Sequence, residues 1–309
     1  MTTADPLVAD YRHLREDAGA YRLPRDVVRL EGPDAASYLQ GQCSQDLADL
    51  APGASADTLL LAPDGKINAL ARVIRLGAEV FHLDVDGGHG DAVLERLARF
   101  KLRSRFDLGL IDWSCVALRG KAVPERAELG APALASFSWN GWQGVDLLGP
   151  SDSIEVPPWV PWCSQLAWEA ARIESGIPVM GRELTEGVIP AETGIVERTV
   201  SFTKGCFTGQ ELVARIDSRG ASVPHRLCGL VLDEVVDPDE LADAALAVEE
   251  KEKPIGRVTS AARCPGVGAV CALAYLHRSV AVPGRVLVHP TGANRSDALS
   301  ASVRPLPLV

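Results

Sequence analysis

The chain has no stretch approaching the eighteen or so apolar residues of a membrane span. Its start, MTTADPLVADYRHLRED, lacks the basic-then-apolar order of a secretion signal, so a cytoplasmic location is expected. It also lacks an excess of basic residues. Lys and Arg number 31 against 41 Asp and Glu, a net charge of −10 that argues against a general nucleic-acid-binding surface. None of the seven cysteines (43, 115, 163, 206, 228, 264 and 271) forms a C-x-x-C pair, and none has a histidine at zinc-ligand spacing. A disulfide framework and a locally encoded zinc or iron–sulfur site are both excluded as expectations. There is no Walker loop and no G-x-S-x-G elbow. DGGHG (86–90) is glycine-rich but lacks dinucleotide-fingerprint spacing, and reads as a turn into a helix.

What is present is an ordinary globular composition, 47 % hydrophobic and 23 % charged over 309 residues. That length exceeds one core and predicts two or three packed units. DVVRLEG (26–32) reads as a strand, and GPDAASYLQG as a short helix with Pro33 in its first turn and Gly41 past its end. Residues 57–77 read as a hairpin turning at Pro63-Asp64-Gly65, and 79–86 as a further strand. Val93, Leu94, Leu97 and Phe100 give the next segment a helical period. CVALRG and GWQGVDLLG open a second unit, in which residues 164–175 form an amphipathic helix closed by Gly176. From Arg226 the pattern changes to short strands: RLCGLVLD, ALAVEE, KPIGRVTSAA, GAVCALAYL and GRVLVHP. The acidic stretch 233–252 between them reads as a solvated loop.

One segment bears directly on chemistry. In KGCFTGQELVAR (204–215), Thr208 and Glu211 have capping-box spacing, Leu212, Val213 and Ile216 share a face, and Gly220 marks an exit. Cys206 then precedes a helix N-terminus, with Lys204 two residues before it and Gly205 and Gly209 on either side. Two readings stand: a thiol whose thiolate is favoured by the helix dipole and Lys204, or a small residue buried at a tight junction.

Taken together, GPDAASYLQGQCSQDL, LLAPDGKINALARVIR, KLRSRFDL, RIESGIPVMGRELTEGVIPAETGI, SFTKGCFTGQELVAR and GRVTSAARCPGVGAVCALAYLHR extend over most of the chain. They resemble the YgfZ family, the folate-binding relatives of the glycine-cleavage T-protein (aminomethyltransferase). The hallmark K-G-C-[YF]-x-G-Q-E is the most specific of these matches. The resemblance implies an α+β fold of three domains in a ring around a central tetrahydrofolate channel: an α+β unit at 1–110, a second at 111–222 and a β-barrel at 223–309. It implies support of the assembly or repair of iron–sulfur enzymes, including tRNA-modifying ones. A monomer without direct contact with nucleic acid or membrane is expected beside it, the latter two from the net charge and the lack of apolar runs. By the same resemblance, Cys206 and Lys204 are the candidate reactive pair, and Gly205, Gly209 and Glu211 complete the signature. Asn68, Arg103, Arg105, Glu192 and Gln210 are candidate folate contacts. Glu211 also has the capping role open to it, and the two arginines suit an interdomain pair as well as a glutamate tail.

A true aminomethyltransferase is the main rival, and a scaffold that has lost its folate is the second. The T-protein places an acidic pair after its turn, where this chain has Asn68 and Ala69. An asparagine cannot carry the negative charge that a cationic one-carbon intermediate needs. The second unit's SFSWNGWQGVDLLG also lacks the glutamate with which the T-protein grips the pterin. Trp139, Trp142, Trp159, Trp162 and Trp168 read as core residues rather than stacking platforms.

Overall fold

The computed structural model describes residues 5–218, 223–247, 254–290 and 298–309. Helix α1 (Pro6–Arg15) and strand β1 (Gly19–Arg22) come first. β2 (Arg25–Glu31), α2 (Ala35–Gln42), β3 (Ser55–Leu61), β4 (Ile67–Arg75), β5 (Val80–Asp86), α3 (Gly90–Lys101) and β6 (Asp107–Ile111) follow. The strands from β2 to β6 form an antiparallel sheet in the order β3-β4-β5-β2-β6. Strand alternation decides what each face meets. Val28, Leu30, Val73, Leu83 and Val85 point to α2 and α3, where Leu39, Val93 and Leu97 complete the core. The opposite face carries Val27 and Ile74, which pack against Cys115, Ala135 and Leu148 of the next sheet. α3 starts at the glycine-rich turn, as its sequence predicts. Its first amides are capped from a distance, because Asp26 Oδ2 accepts from Gly88 N (2.8 Å) and Gly90 N (2.7 Å).

The second sheet contains β7 (Ser114–Arg119), β8 (Ala133–Trp139) and β9 (Trp142–Gly149), in the order β1-β7-β9-β8. Sheet membership thus departs from the sequence blocks. β1 pairs with β7, Gly19 opposite Arg119, so residues before 23 sit with the second unit and the first sheet is inserted between them. α4 (Gln165–Glu174) packs on α1 and buries Ala167, Trp168 and Ala171 with Leu14 and Trp142. α5 (Pro190–Thr193), α6 (Val196–Thr199) and α7 (Gln210–Ser218) then return to the β3–β4 hairpin. Val188, Ile195, Val200 and Val213 share a core there with Leu59, Leu61, Ile67 and Tyr275, so all three units meet in one cluster. Burial of each such Val, Leu or Ile contributes roughly 1.5–3 kcal/mol.

The barrel is closed by β10 (His225–Leu232), β11 (Ala245–Ala247), β12 (Gly256–Cys264), β13 (Ala269–His277), β14 (Gly284–His289) and β15 (Leu299–Arg304), in the order β10-β13-β12-β11-β14-β15. Closure leaves no free edge. The acidic stretch from 233 is no solvated loop over its described part. Val236, Leu241 and Leu246 are buried in the barrel core, and charged residues alternate with them on the outside. Residues 248–252 and Gly220 lie outside the described residues. Gly41 lies inside α2 rather than past its end.

Candidate functional site

Two features place chemistry-bearing side chains together: a cleft between the two sheets, and a strap that carries Cys206.

The cleft is built from the inward positions of β4, β5, β7 and β9. Arg72 on β4 reaches across it, holding Asp84 (Nη2–Oδ2, 2.6 Å) on its own sheet and Asp146 (Nη1–Oδ2, 2.5 Å) on the other. Arg119 meets the second oxygen of Asp146 (Nη2–Oδ1, 2.7 Å) and stacks over Phe137, 3.7 Å from the ring centroid. Arg25 pairs with Asp84 and Asp86. Burial alone would raise the Asp146 pKa. The guanidinium groups of Arg119 and Arg72 overcome that and hold the carboxyl below its ordinary range. Burial likewise opposes the charge on Arg72, but Asp84 and Asp146 raise its pKa well above the usual value.

Phe137, Trp139 and Trp168 supply the flat walls, so Trp139 and Trp168 are at once buried and cleft-lining. Trp142 is core, whereas Trp159 and Trp162 are exposed, against expectation. At the cleft wall Arg198 of α6 pairs with Asp57 (2.5 Å) and lies over the Trp139 ring at 4.4 Å. The enclosed volume is about 100 Å³. Two buried donors of wall residues, Nε of Arg25 and Nε of Arg119, have no hydrogen-bond partner among the described residues, and Arg25 Nε lies 3.3 Å from Asp84 Oδ2. Aromatic walls, fixed charges and an unused donor suit the head group of a flat heteroaromatic ligand bearing a carbonyl.

The strap runs from α6 to α7. At its first end Gln45 Nε2 donates to Arg198 O (3.0 Å), Ser44 Oγ to Thr199 O (2.6 Å), and Ser201 N to Ser44 O (3.0 Å). Lys204 Nζ then donates to the carbonyls of Gln40 (2.6 Å), Cys43 (2.7 Å) and Gln45 (2.9 Å). Its three donor positions are thus spent on the carbonyl end of α2, where a cation is favoured by the helix dipole. The expectation that Lys204 turns to the Cys206 thiol is not met. Burial lowers the Lys204 pKa, opposed by the nearby Cys43 and Asp46.

At the far end, Thr208 N donates to Gly41 O (3.2 Å), and Gly209, at φ +81°, sits against Ala62 O and Leu61 of the β3–β4 hairpin. The capping pair also differs from expectation. Gln210 Oε1 accepts from Phe207 N (2.9 Å), one residue along from the predicted Thr208–Glu211 box, and Glu211 is exposed. Between these anchors Gly205 and Cys206 are exposed, and the other six cysteines are buried. The reading of Cys206 as a buried junction residue therefore falls.

The remaining sequence candidates do not converge on the cleft. Asn68 sits at a β-bulge opposite Leu60 and Leu61, so it turns outward, and its Oδ1 accepts from Arg96 Nε (3.2 Å) of α3. Glu192, mostly buried on α5, faces His225 of the barrel at 3.5 Å. Arg105 binds Asp34, its neighbour at the start of α2, through Nε and Nη2 (both 3.3 Å), which is a contact within the first unit and not an interdomain one. Arg103 is exposed. The cleft residues Arg25, Arg72, Asp84, Arg119, Asp146 and Arg198 went unread in the sequence. The one available signal was a charged residue inside each of the apolar strands INALARVIR, VFHLDVD and WQGVDLLG.

Two α+β sheets facing across a charged cleft, joined to a closed six-stranded barrel, define a T-protein type of architecture. The whole chain superposes on the aminomethyltransferase T of the Bartonella henselae glycine cleavage system with a TM-score of 0.83, covering 98 % of this chain and 89 % of that one at 20 % identity. Residues 225–309 match the glycine cleavage T-protein C-terminal barrel domain. An aminomethyltransferase of Streptomyces coelicolor is 27 % identical, over 88 % of this chain and 81 % of its own. The tRNA-modifying protein YgfZ of Edwardsiella ictaluri is 28 % identical over 66 % of this chain and 70 % of its own. A mitochondrial iron–sulfur cluster assembly factor IBA57 homologue of Pyricularia oryzae is 25 % identical over 78 % and 66 %. The chain has the aminomethyltransferase fold and is similar in sequence to YgfZ proteins and aminomethyltransferases.

Proposed function

We propose that this protein binds a reduced folate and supports the assembly or repair of iron–sulfur enzymes, tRNA-modifying ones among them, through Cys206. The observation that carries this reading is the strap: a single exposed thiol, held at both ends by backbone contacts to the first unit. A thiol so presented is a soft ligand within reach of a partner protein. The relatives named YgfZ and IBA57 support the same direction. The cleft supports the folate part. Its aromatic walls suit a pteridine face and the unused Arg119 donor suits a ring carbonyl. Its volume of about 100 Å³ suits a head group, with the rest of the ligand outside, since complete drug-like ligands take roughly 300–1,000 Å³.

Aminomethyl transfer is the second reading, favoured by the Streptomyces relative. Against it stands the Asn68 position. It carries no carboxylate, and it turns outward onto the Arg96 guanidinium, away from the cleft, so no carboxylate from this position faces a one-carbon intermediate there. Calorimetry with tetrahydrofolate tests the cofactor, and no heat at millimolar ligand would remove it. Restored activity of an iron–sulfur tRNA-modifying enzyme in a deletion strain tests the role. Wild type is expected to restore it and Cys206→Ser to fail. Robust aminomethyl transfer to a lipoyl carrier by the wild type would reverse the ranking.

A further inference from the structure

Beside the strap lies a groove of about 350 Å³ between α5, α6 and α7. Val196, Phe202, Leu212 and Ile216 form its apolar floor and wall, and Phe202 is 49 % exposed. Phe202 belongs to the strap itself, four residues before Cys206. Among the described residues, the charged residues that line the groove are Glu197 and Asp217. Both are exposed, and neither has an ion-pair partner among the described residues. Large exposed apolar side chains rimmed by charge of one sign mark sites of protein contact. The signs here select the partner, because a cationic flank gains two carboxylates and an anionic one meets repulsion.

We propose that this groove docks a segment of a partner protein in which apolar anchors are flanked by lysine or arginine, seated so that the partner's metal-handling region faces Cys206. The occupant is a basic amphipathic segment laid between helices, the helix-in-groove mode of recognition. The proposal deepens the reading of Cys206 as the point of contact, and it does not depend on folate.

The test uses the full chain and two synthetic fluorescein-labelled helical peptides. Both carry leucines at one-turn spacing; one has lysine flanks and the other has glutamate flanks. Anisotropy should give the basic peptide at least about tenfold tighter binding, equivalent to roughly 1.4 kcal/mol. Glu197→Lys with Asp217→Lys should reverse that preference, and Phe202→Ser should weaken the basic peptide severalfold while the melting temperature stays put. A benzophenone attached to Cys206, the exposed thiol, should cross-link the bound basic peptide. Equal affinity for the two peptides, indifference to the substitutions, or cross-links confined to other surfaces would overturn the proposal. So would a dimer of the wild type that Phe202→Ser converts to monomer, since a second copy would then fill the groove. The charge-reversed variant should keep wild-type tetrahydrofolate affinity. Loss of folate binding in the wild type would defeat the cofactor reading and leave the docking result standing.

Discussion

Cys206 and Lys204 stand two apart in sequence, yet their surroundings have little in common. The lysine spends its donors on carbonyls under the strap, while the cysteine faces water at the apex. N-ethylmaleimide should therefore label one thiol per native chain and all seven after unfolding, counted by intact mass, and Cys206→Ser should melt within a degree or two of wild type. Two or more labels on the native protein would contradict the burial of the other six. A second residue-scale prediction concerns His82 on β5. Burial, then the Arg29 charge, lowers its pKa to about 4, with Asp84 opposing. Its folded pKa is below the unfolded value of roughly 6.5, so the unfolded chain binds more protons between those limits. Stability from this residue is whole above pH 6.5, drains as pH falls to 4, and amounts to roughly 3 kcal/mol at 1.36 kcal/mol per unit. Urea midpoints of His82→Phe should fall less than wild type between pH 7 and 4.5, and parallel losses would refute the assignment. The signature set Cys206 and Lys204 side by side as a pair, whereas the structure turns their side chains to different surroundings. Their separate roles were illegible because the lysine's acceptors lie about 160 residues away in the chain.

At the scale of elements, the two signature glycines make a contrast that the sequence treats as a symmetry. Gly209 has φ +81°, and a Cβ there would meet Ala62 O at 2.5 Å and Leu61 Cβ at 2.8 Å. A Cβ on Gly205 meets nothing within 4 Å. Gly209→Ala should lower stability by about 2 kcal/mol or more, since both strain and clash apply, and should loosen the strap. Gly205→Ala should stay within about 0.5 kcal/mol of wild type in denaturant melts. Equal losses would show that the strap is not pinned at its C-terminal end. Most long elements were legible because their burial follows their period: β2 to β5, α3, α4 and α7 fall where alternation and helical spacing put them. β1, at four residues, carries too little pattern, and β6 alternates weakly because it is a half-exposed edge strand. Asn68 was misplaced for a local reason. One extra residue at the β3–β4 bulge turns a side chain to the other face, and no spacing rule announces it.

Over the whole molecule, the cleft network is the polar joint between the sheets and, on the proposed function, also a wall of the ligand site. Asp146→Ala leaves Arg72 and Arg119 buried with one partner fewer, and breaking a buried pair costs about 3–5 kcal/mol. Calorimetric melting should show that loss, and tetrahydrofolate binding should go with it. A stable Asp146→Ala protein with intact binding would detach the cleft from the folate. The network could not be foreseen because its members come from β2, β4, β5, β7 and β9, and only sheet packing unites them. The inserted first sheet carries a further consequence, for the order of synthesis. β1 leaves the ribosome about 100 residues before its partner β7, with Gly19 waiting for Arg119. At some 5–20 residues per second that is roughly 5–20 s, during which the strands of the first sheet emerge one after another and β1 has no partner strand. The second unit thus begins first and finishes later, closing around a sheet whose strands have all been made, and α1 and β1 form the stretch of nascent chain that a holding chaperone would meet.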